Sequence, residues 1–174
     1  MIPRLMFFLV VLMSIASCGF HFRGQTHLAA PLKTMYLKTK DPYGELTRNI
    51  IQFLKMSGVH LTDTVKEADT VLEILSETTG QELLGVGSTQ QTRQYNLTLT
   101  VTYQVTRPNG SILLLPEKAT ESRTLAINSN QILGSSNEAN ALYKQMRRAV
   151  VFDIMNRLSS QDVSNLVTKK WLPE

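Results

Sequence analysis

Three histidines (His21, His27 and His60), one cysteine (Cys18) and scattered single acids make up the reactive side chains of this chain. Two of the histidines precede any periodic segment and the third follows a helical one, so no metal-ligand spacing of the His-Glu-x-x-His kind arises. Neither a Gly-x-Ser-x-Gly nucleophile turn nor a P-loop is present. Gly85-Val86-Gly87 has two glycines of a nucleotide-binding loop but lacks the third and a following helix. Glu73 and Glu77 have the spacing to share a strand face, where two carboxylates divide acid and base roles; a solvated strand face is the simpler account. The chain is therefore expected to be no enzyme and to require no cofactor or metal. The remaining candidates are cations. Arg93, Lys118 and Arg123 flank the most strand-like segments, and guanidinium forks match phosphate oxygens. They are candidate contacts for an amphipathic anion such as a phosphorylated glycolipid, or else edge charges that keep exposed strands from pairing.

Cys18 has a chemistry of its own. It follows Arg4, the apolar run Leu5 to Ile15, and the small pair Ala16-Ser17. A basic start, an apolar stretch of roughly 7–15 residues and a small-residue cleavage site describe a secretory signal. Ile15-Ala16-Ser17-Cys18 is similar to a lipobox, in which the thiol is acylated and the chain is cut before it. The run is shorter than the roughly 20 residues that span a bilayer core, so residues 1–17 read as a lipoprotein signal peptide and the anchor as lipid. Two or more acyl chains hold a protein stably on a membrane, whereas one does so only marginally. Gly19, rather than aspartate, follows the cysteine. By resemblance to enterobacterial lipoproteins, this implies the periplasmic face of the outer membrane.

Loss of residues 1–17 removes one of 18 basic residues and none of the 14 acids, leaving 17 − 14 = +3. Such a balance favours anionic partners weakly, and nucleic acid is excluded by compartment. A lone cysteine allows no internal disulfide, although that compartment permits them. The length is nevertheless ordinary for one domain with a real core.

The elements that must position the cations follow from periodicity. Residues 18–33 read as a lipidated tether, 34–160 as one domain and 161–174 as a loosely attached tail, with Trp171 and Leu172 packing back. Thr34 to Thr39 reads as a strand. A helix follows with Asp41 as N-cap, Pro42 at the first position and Glu45 in the first turn. Leu46, Ile50, Phe53 and Leu54 form its buried face, and Gly58 stops it. Val71 to Thr79 reads as a second strand, with Gly80 to Thr89 either continuing it or making a loop. From Tyr95 to Val105, apolar residues alternate strictly with Asn, Thr and Gln, so one face is buried and the other wet. Pro108-Asn109-Gly110 turns the chain into a fourth strand within Ile112 to Ile127. Ser135 and Glu138 fit a capping box ahead of a helix striped by Leu142, Met146, Ala149, Val150, Ile154 and Leu158. Its wet side carries Lys144, Arg147, Arg148 and Arg157.

The expected fold is α+β: two amphipathic helices packed on one face of a four-stranded, mostly antiparallel sheet, in the order β-α-β-β-β-α. The other face presents the Thr/Gln/Asn row. That row is either the water side of the sheet or a surface that docks in the polar interior of a large transmembrane barrel.

Cys18-Gly19-Phe20-His21-Phe22-Arg23-Gly24 resembles the mature start of the LptE family of LPS-assembly lipoproteins. Asp41-Pro42-x-Gly44-x-Leu46-x-Arg48 is similar to the start of that family's first helix, and Leu54-x-x-x-Gly58-Val59 to its end. The alternation from Tyr95 resembles its long central strand. The resemblance implies a non-enzymatic outer-membrane lipoprotein that plugs the LPS translocon barrel LptD, helps it assemble, and binds LPS. The rival expectation is a generic outer-membrane lipoprotein acting as a periplasmic scaffold or lipid carrier. No family contact transfers residue by residue, so Arg93, Lys118 and Arg123 remain the candidates for LPS.

Overall fold

A computed structural model describes residues 28–87, 92–128 and 132–171, with side chains described from residue 136 onward in the last segment. The expected signal peptide, Cys18, the start of the expected tether and Leu172 lie outside the described residues. Strand β1 (Thr34–Lys38) leads into helix α1 (Glu45–Met56) and a two-residue strand β2 (His60–Leu61). Three long strands follow: β3 (Thr70–Val86), β4 (Thr92–Thr106) and β5 (Ile112–Asn128). Helices α2 (Ile132–Leu158) and α3 (Gln161–Trp171) complete the chain.

The sheet order is β2-β1-β3-β4-β5. β1 runs parallel to both β2 and β3, whereas β3, β4 and β5 form an antiparallel meander. The sheet is thus mixed and five-stranded, a correction to the four expected. β2 is too short to show an alternation, and it forms because His60 N–H and Thr62 N–H reach the carbonyls of Lys33 and Met35 at 2.7 and 2.9 Å. α+β architecture stands, but with a third helix. Residues 161–171 are helical where a loose tail was expected: Val163 and Val167 are buried one turn apart, a two-residue apolar face too sparse to read as a period.

The strict alternation of β4 is realised: Leu97, Leu99, Val101, Tyr103 and Val105 are buried under the helices. Met146, Val150, Ile154 and Leu158 of α2 pack onto them, with Val151 and Met155 beside them in the core. α1 contributes Leu46, Ile50 and Leu54. Its N-cap is Gly44 rather than Asp41, because residues 41–44 close a turn in which Gly44 N–H bonds Asp41 O at 3.3 Å. Thr47 Oγ1 bonds that same carbonyl at 2.6 Å. Its C-terminus is a Schellman motif: Val59 N–H bonds Leu54 O, Gly58 N–H bonds Lys55 O, and Gly58 takes φ 75°. The expected stop at Gly58 is therefore present. α2 begins at Ile132, so Ser135 lies inside the helix and not at its cap.

The last part of the expected tether is also core. Leu28 and Leu32 are buried, Ala30–Leu32 forms a 3-10 turn, and Thr70 Oγ1 bonds Pro31 O at 3.0 Å. Two isolated leucines beside a proline carry no period, which is why they read as irregular.

Candidate functional site

β3 decides which side chains face which way. Its register against β4 slips between Ile74 and Ser76. Before the slip, Leu72 and Ile74 stand opposite Val105 and Tyr103 on the helix side; after it, Glu77, Thr79 and Gln81 stand opposite Val101, Leu99 and Leu97. One extra residue in one strand inverts the alternation. Glu73 and Glu77 consequently lie on opposite faces, which removes the acid-pair reading. Glu73 binds Lys38 at 2.8 Å and Gln104 at 2.8 Å, and Lys38 above all holds its carboxyl below the usual range. Glu77 instead meets Arg147 of α2 at 2.7 Å, and the same guanidinium reaches Glu45 of α1 at 3.4 Å.

Arg147 and Arg157, expected on the wet side of α2, are thus tie points. Arg157 grips Glu117 of β5 with Nε at 2.9 Å and Nη2 at 2.8 Å, while Tyr103 Oη donates to the same carboxylate at 3.2 Å. The Arg157 bond holds the Glu117 carboxyl below its ordinary value, and burial beside that carboxylate pushes the Tyr103 phenol well up.

The helices cover one face of the sheet. The other face is a row of Gln94, Asn96, Thr98, Thr100, Thr102 and Gln104 on β4, opposite Ala126, Thr124, Ser122, Thr120 and Lys118 on β5. Thr100 and Thr120 share a hydroxyl hydrogen bond at 3.0 Å across it. It is polar, with Glu82, Lys118 and the Glu73–Lys38 pair as its charges, and is built on three strands of 15 to 17 residues, longer than the usual 5–6.

The three candidate cations do not converge. Lys118 stands opposite Thr102 on this polar face. Arg93 and Arg123 stand opposite Ile127 and Leu97, on the helix side. Arg123 is held by Glu121 at 2.8 Å. Arg93 lies at the distal end of the β3–β4 hairpin, directly across from Val86. There the sequence reading missed an apolar cluster: Leu83, Leu84 and Val86 are 51, 55 and 50% exposed. β3 continues to Val86, which resolves the open choice at residues 80–89 in favour of strand as far as it is described. A cation beside exposed aliphatic side chains is chemistry suited to an amphipathic anion.

Among the described residues there is no group of three acids, histidines or cysteines that could hold a metal. Nor is any described helix long and apolar enough to cross a membrane.

Residues 32–158 match a family model described as LptE, lipopolysaccharide-assembly. An LPS-assembly lipoprotein LptE of Pectobacterium atrosepticum is 32% identical over 155 residues, covering 86% of this chain and 83% of its own. A protein of the same description from Photorhabdus laumondii is 29% identical over 143 residues, 82% of this chain and 78% of its own. Among solved structures, the rare lipoprotein B of Shewanella oneidensis superposes with a TM-score of 0.65 at 24% identity, over 75% of this chain and 97% of that one. A minor lipoprotein of Acinetobacter baumannii gives 0.64 at 22%, over 74% and 91%. These last two likenesses concern the fold.

Proposed function

Because this chain belongs to the LptE family of lipopolysaccharide-assembly lipoproteins, we propose that it plugs the LptD-type outer-membrane barrel, helps it assemble and binds LPS during delivery. It acts by binding and not by catalysis. The observation that carries the reading is the uncovered polar face of β3, β4 and β5. Its threonines, asparagine and glutamines present donors and acceptors without the desolvation penalty of charge, and its few charges lie toward the ends of the strands, which suits the polar lumen of a large barrel. Lys118 belongs to that face.

LPS meets the distal hairpin in this proposal. Arg93 and Arg123 face its phosphates from the helix side, and Leu83, Leu84 and Val86 offer apolar surface to its acyl chains. Cys18, cleaved from residues 1–17 and acylated, holds the domain at the periplasmic face of the outer membrane.

The deciding experiment is a mild-detergent pull-down of tagged protein from outer membranes, followed by mass spectrometry. Near-equal recovery of a large barrel is expected; none, from membranes where the folded protein is present, favours a scaffold or carrier instead. Two variants separate the finer parts. Cys18→Ala is expected to leave the outer-membrane fraction while remaining folded, and Arg93→Glu with Arg123→Glu to weaken LPS binding. Unchanged LPS affinity in that double variant would remove both arginines from the site.

A further inference from the structure

At the end of the sheet away from the distal hairpin, β4 stops at Thr106 and β5 begins at Ile112, its partner in the ladder. Apolar side chains are bare here. Ile112 and Leu115 are 44 and 65% exposed, and Leu166 of α3 is 38% exposed. Leu166, Lys169 and Lys170 share one face of α3, at i, i+3 and i+4. That face lies against the start of β5, because Lys170 Nζ donates to Ile112 O and Leu113 O at 3.4 and 3.2 Å. Trp171 follows, with the Arg107 guanidinium 5.6 Å from its ring centre. Arg107 Nε is buried with no hydrogen-bond partner among the described residues. None of Arg107, Lys169 and Lys170 has a carboxylate partner among them. This proximal end thus combines exposed aliphatic side chains, a tryptophan and three cations whose charge no neighbouring acid cancels.

We propose that the proximal end is a lipid-contact surface: Ile112, Leu115 and Leu166 enter the boundary of headgroups and acyl chains, while Arg107, Lys169 and Lys170 meet phospholipid phosphates. Basic side chains around a bare apolar patch are the chemistry of a protein seated on a bilayer surface, and tryptophan is enriched at that depth. Guanidinium and ammonium groups both pair with phosphate oxygens. The inference rests on the acylation of Cys18 proposed above. Two lengths bring the surface to the membrane. The 3-10 turn Ala30–Leu32 packs against α3, so the described chain begins at this same end. Leu28 lies ten positions after Cys18, a span of at most about 35 Å. β4 has 15 residues, about 50 Å of strand, against roughly 40–45 Å for a bilayer with its headgroups. With the body in a barrel and the distal hairpin toward the outer leaflet, the proximal end therefore emerges at the periplasmic headgroups. Lipid there and LPS at the hairpin occupy opposite ends of one plug.

Trp171 is the one tryptophan of the chain, so its fluorescence reads this end alone. The mature lipoprotein, acylated at Cys18, is reconstituted with LPS-free vesicles of phosphatidylethanolamine and phosphatidylglycerol whose acyl chains carry bromine near the headgroup. Co-flotation reads the anchor, and bromine quenching of Trp171 reads the surface. Flotation with Trp171 quenched is expected. Ile112→Glu with Leu115→Glu, both at exposed positions, is expected to float as before with most of the quenching lost. The charges are tested on mature chain made without acylation, as Cys18→Ala. It is expected to bind these vesicles weakly, less to phosphatidylcholine alone, and Lys169→Gln to lower its affinity about fivefold. Flotation with Trp171 unquenched overturns the proposal and leaves the anchor standing, whereas no flotation overturns both. Equal quenching in the Ile112→Glu, Leu115→Glu variant overturns the apolar contact, and an affinity indifferent to Lys169→Gln and to headgroup charge overturns the phosphate contact. A Trp171 that becomes shielded from bromine when the barrel protein is bound assigns the surface to that protein, and overturns the proposal equally.

Discussion

Glu117 joins β5 to the end of α2, and replacing it with glutamine isolates the worth of its charge. The wild-type carboxylate accepts from two guanidinium nitrogens of Arg157, Nε being shared between both oxygens, and from the phenol of Tyr103. Hydrogen bonds to charged groups contribute about 1.5–3 kcal/mol net. The side chains of Arg157 and Glu117 are 40 and 28% exposed, so solvent screening pulls the value toward the range of surface pairs, at most about 1 kcal/mol. Glu117→Gln is thus expected to cost about 1–2 kcal/mol at neutral pH, read as a lower urea midpoint with an unchanged slope. The pH dependence has a definite sign. Arg157 lowers the folded-state pKa of Glu117 below its ordinary 4.5, so the contribution is full above 4.5 and fades as pH falls through the lower folded value. The difference between wild type and variant should shrink accordingly in acid. A difference that stays constant from neutral to acid pH would refute the argument, because it would come from packing and not from charge.

Two further outcomes follow from the backbone and the core. Leu32→Ala is expected to cost about 2–5 kcal/mol in urea unfolding, as for any fully buried leucine, although a tether residue would cost nothing. Gly58→Ala is expected to cost about 1 kcal/mol, because φ 75° is left-handed and an L-residue there pays a steric penalty; thermal unfolding of the variant reads it directly.

The alternation of β4 was legible because one face is wet and the other covered over its whole length, and the helix stop at Gly58 was legible because one residue type serves that geometry. The slip after Ile74 was not. A bulge inserts a residue without changing composition, so Glu73 and Glu77 kept the spacing of a shared face while the backbone placed them apart. Arg147 and Arg157 looked solvated because their partners Glu77 and Glu117 lie 70 and 40 positions away in the chain. Arg93 was found from its residue type, but its aliphatic neighbours Leu83, Leu84 and Val86 read as a possible loop. Only the continuation of β3 sets them beside it.

The two ends of the domain close the same part of its core. The 3-10 turn at Ala30–Leu32 packs against α3, so Leu32 near the beginning and Val167 near the end complete one apolar cluster. The β3–β4–β5 meander, by contrast, is made of neighbours in sequence and needs neither end to form its ladders. Local pairings of this kind form before distant ones, which first pay the entropy of closing a long loop. A chain that emerges N-terminus first therefore leaves Leu32 without its cover from α3 until the last helix arrives. Completion of the core is timed by the end of the polypeptide, although the meander that carries the polar face is not.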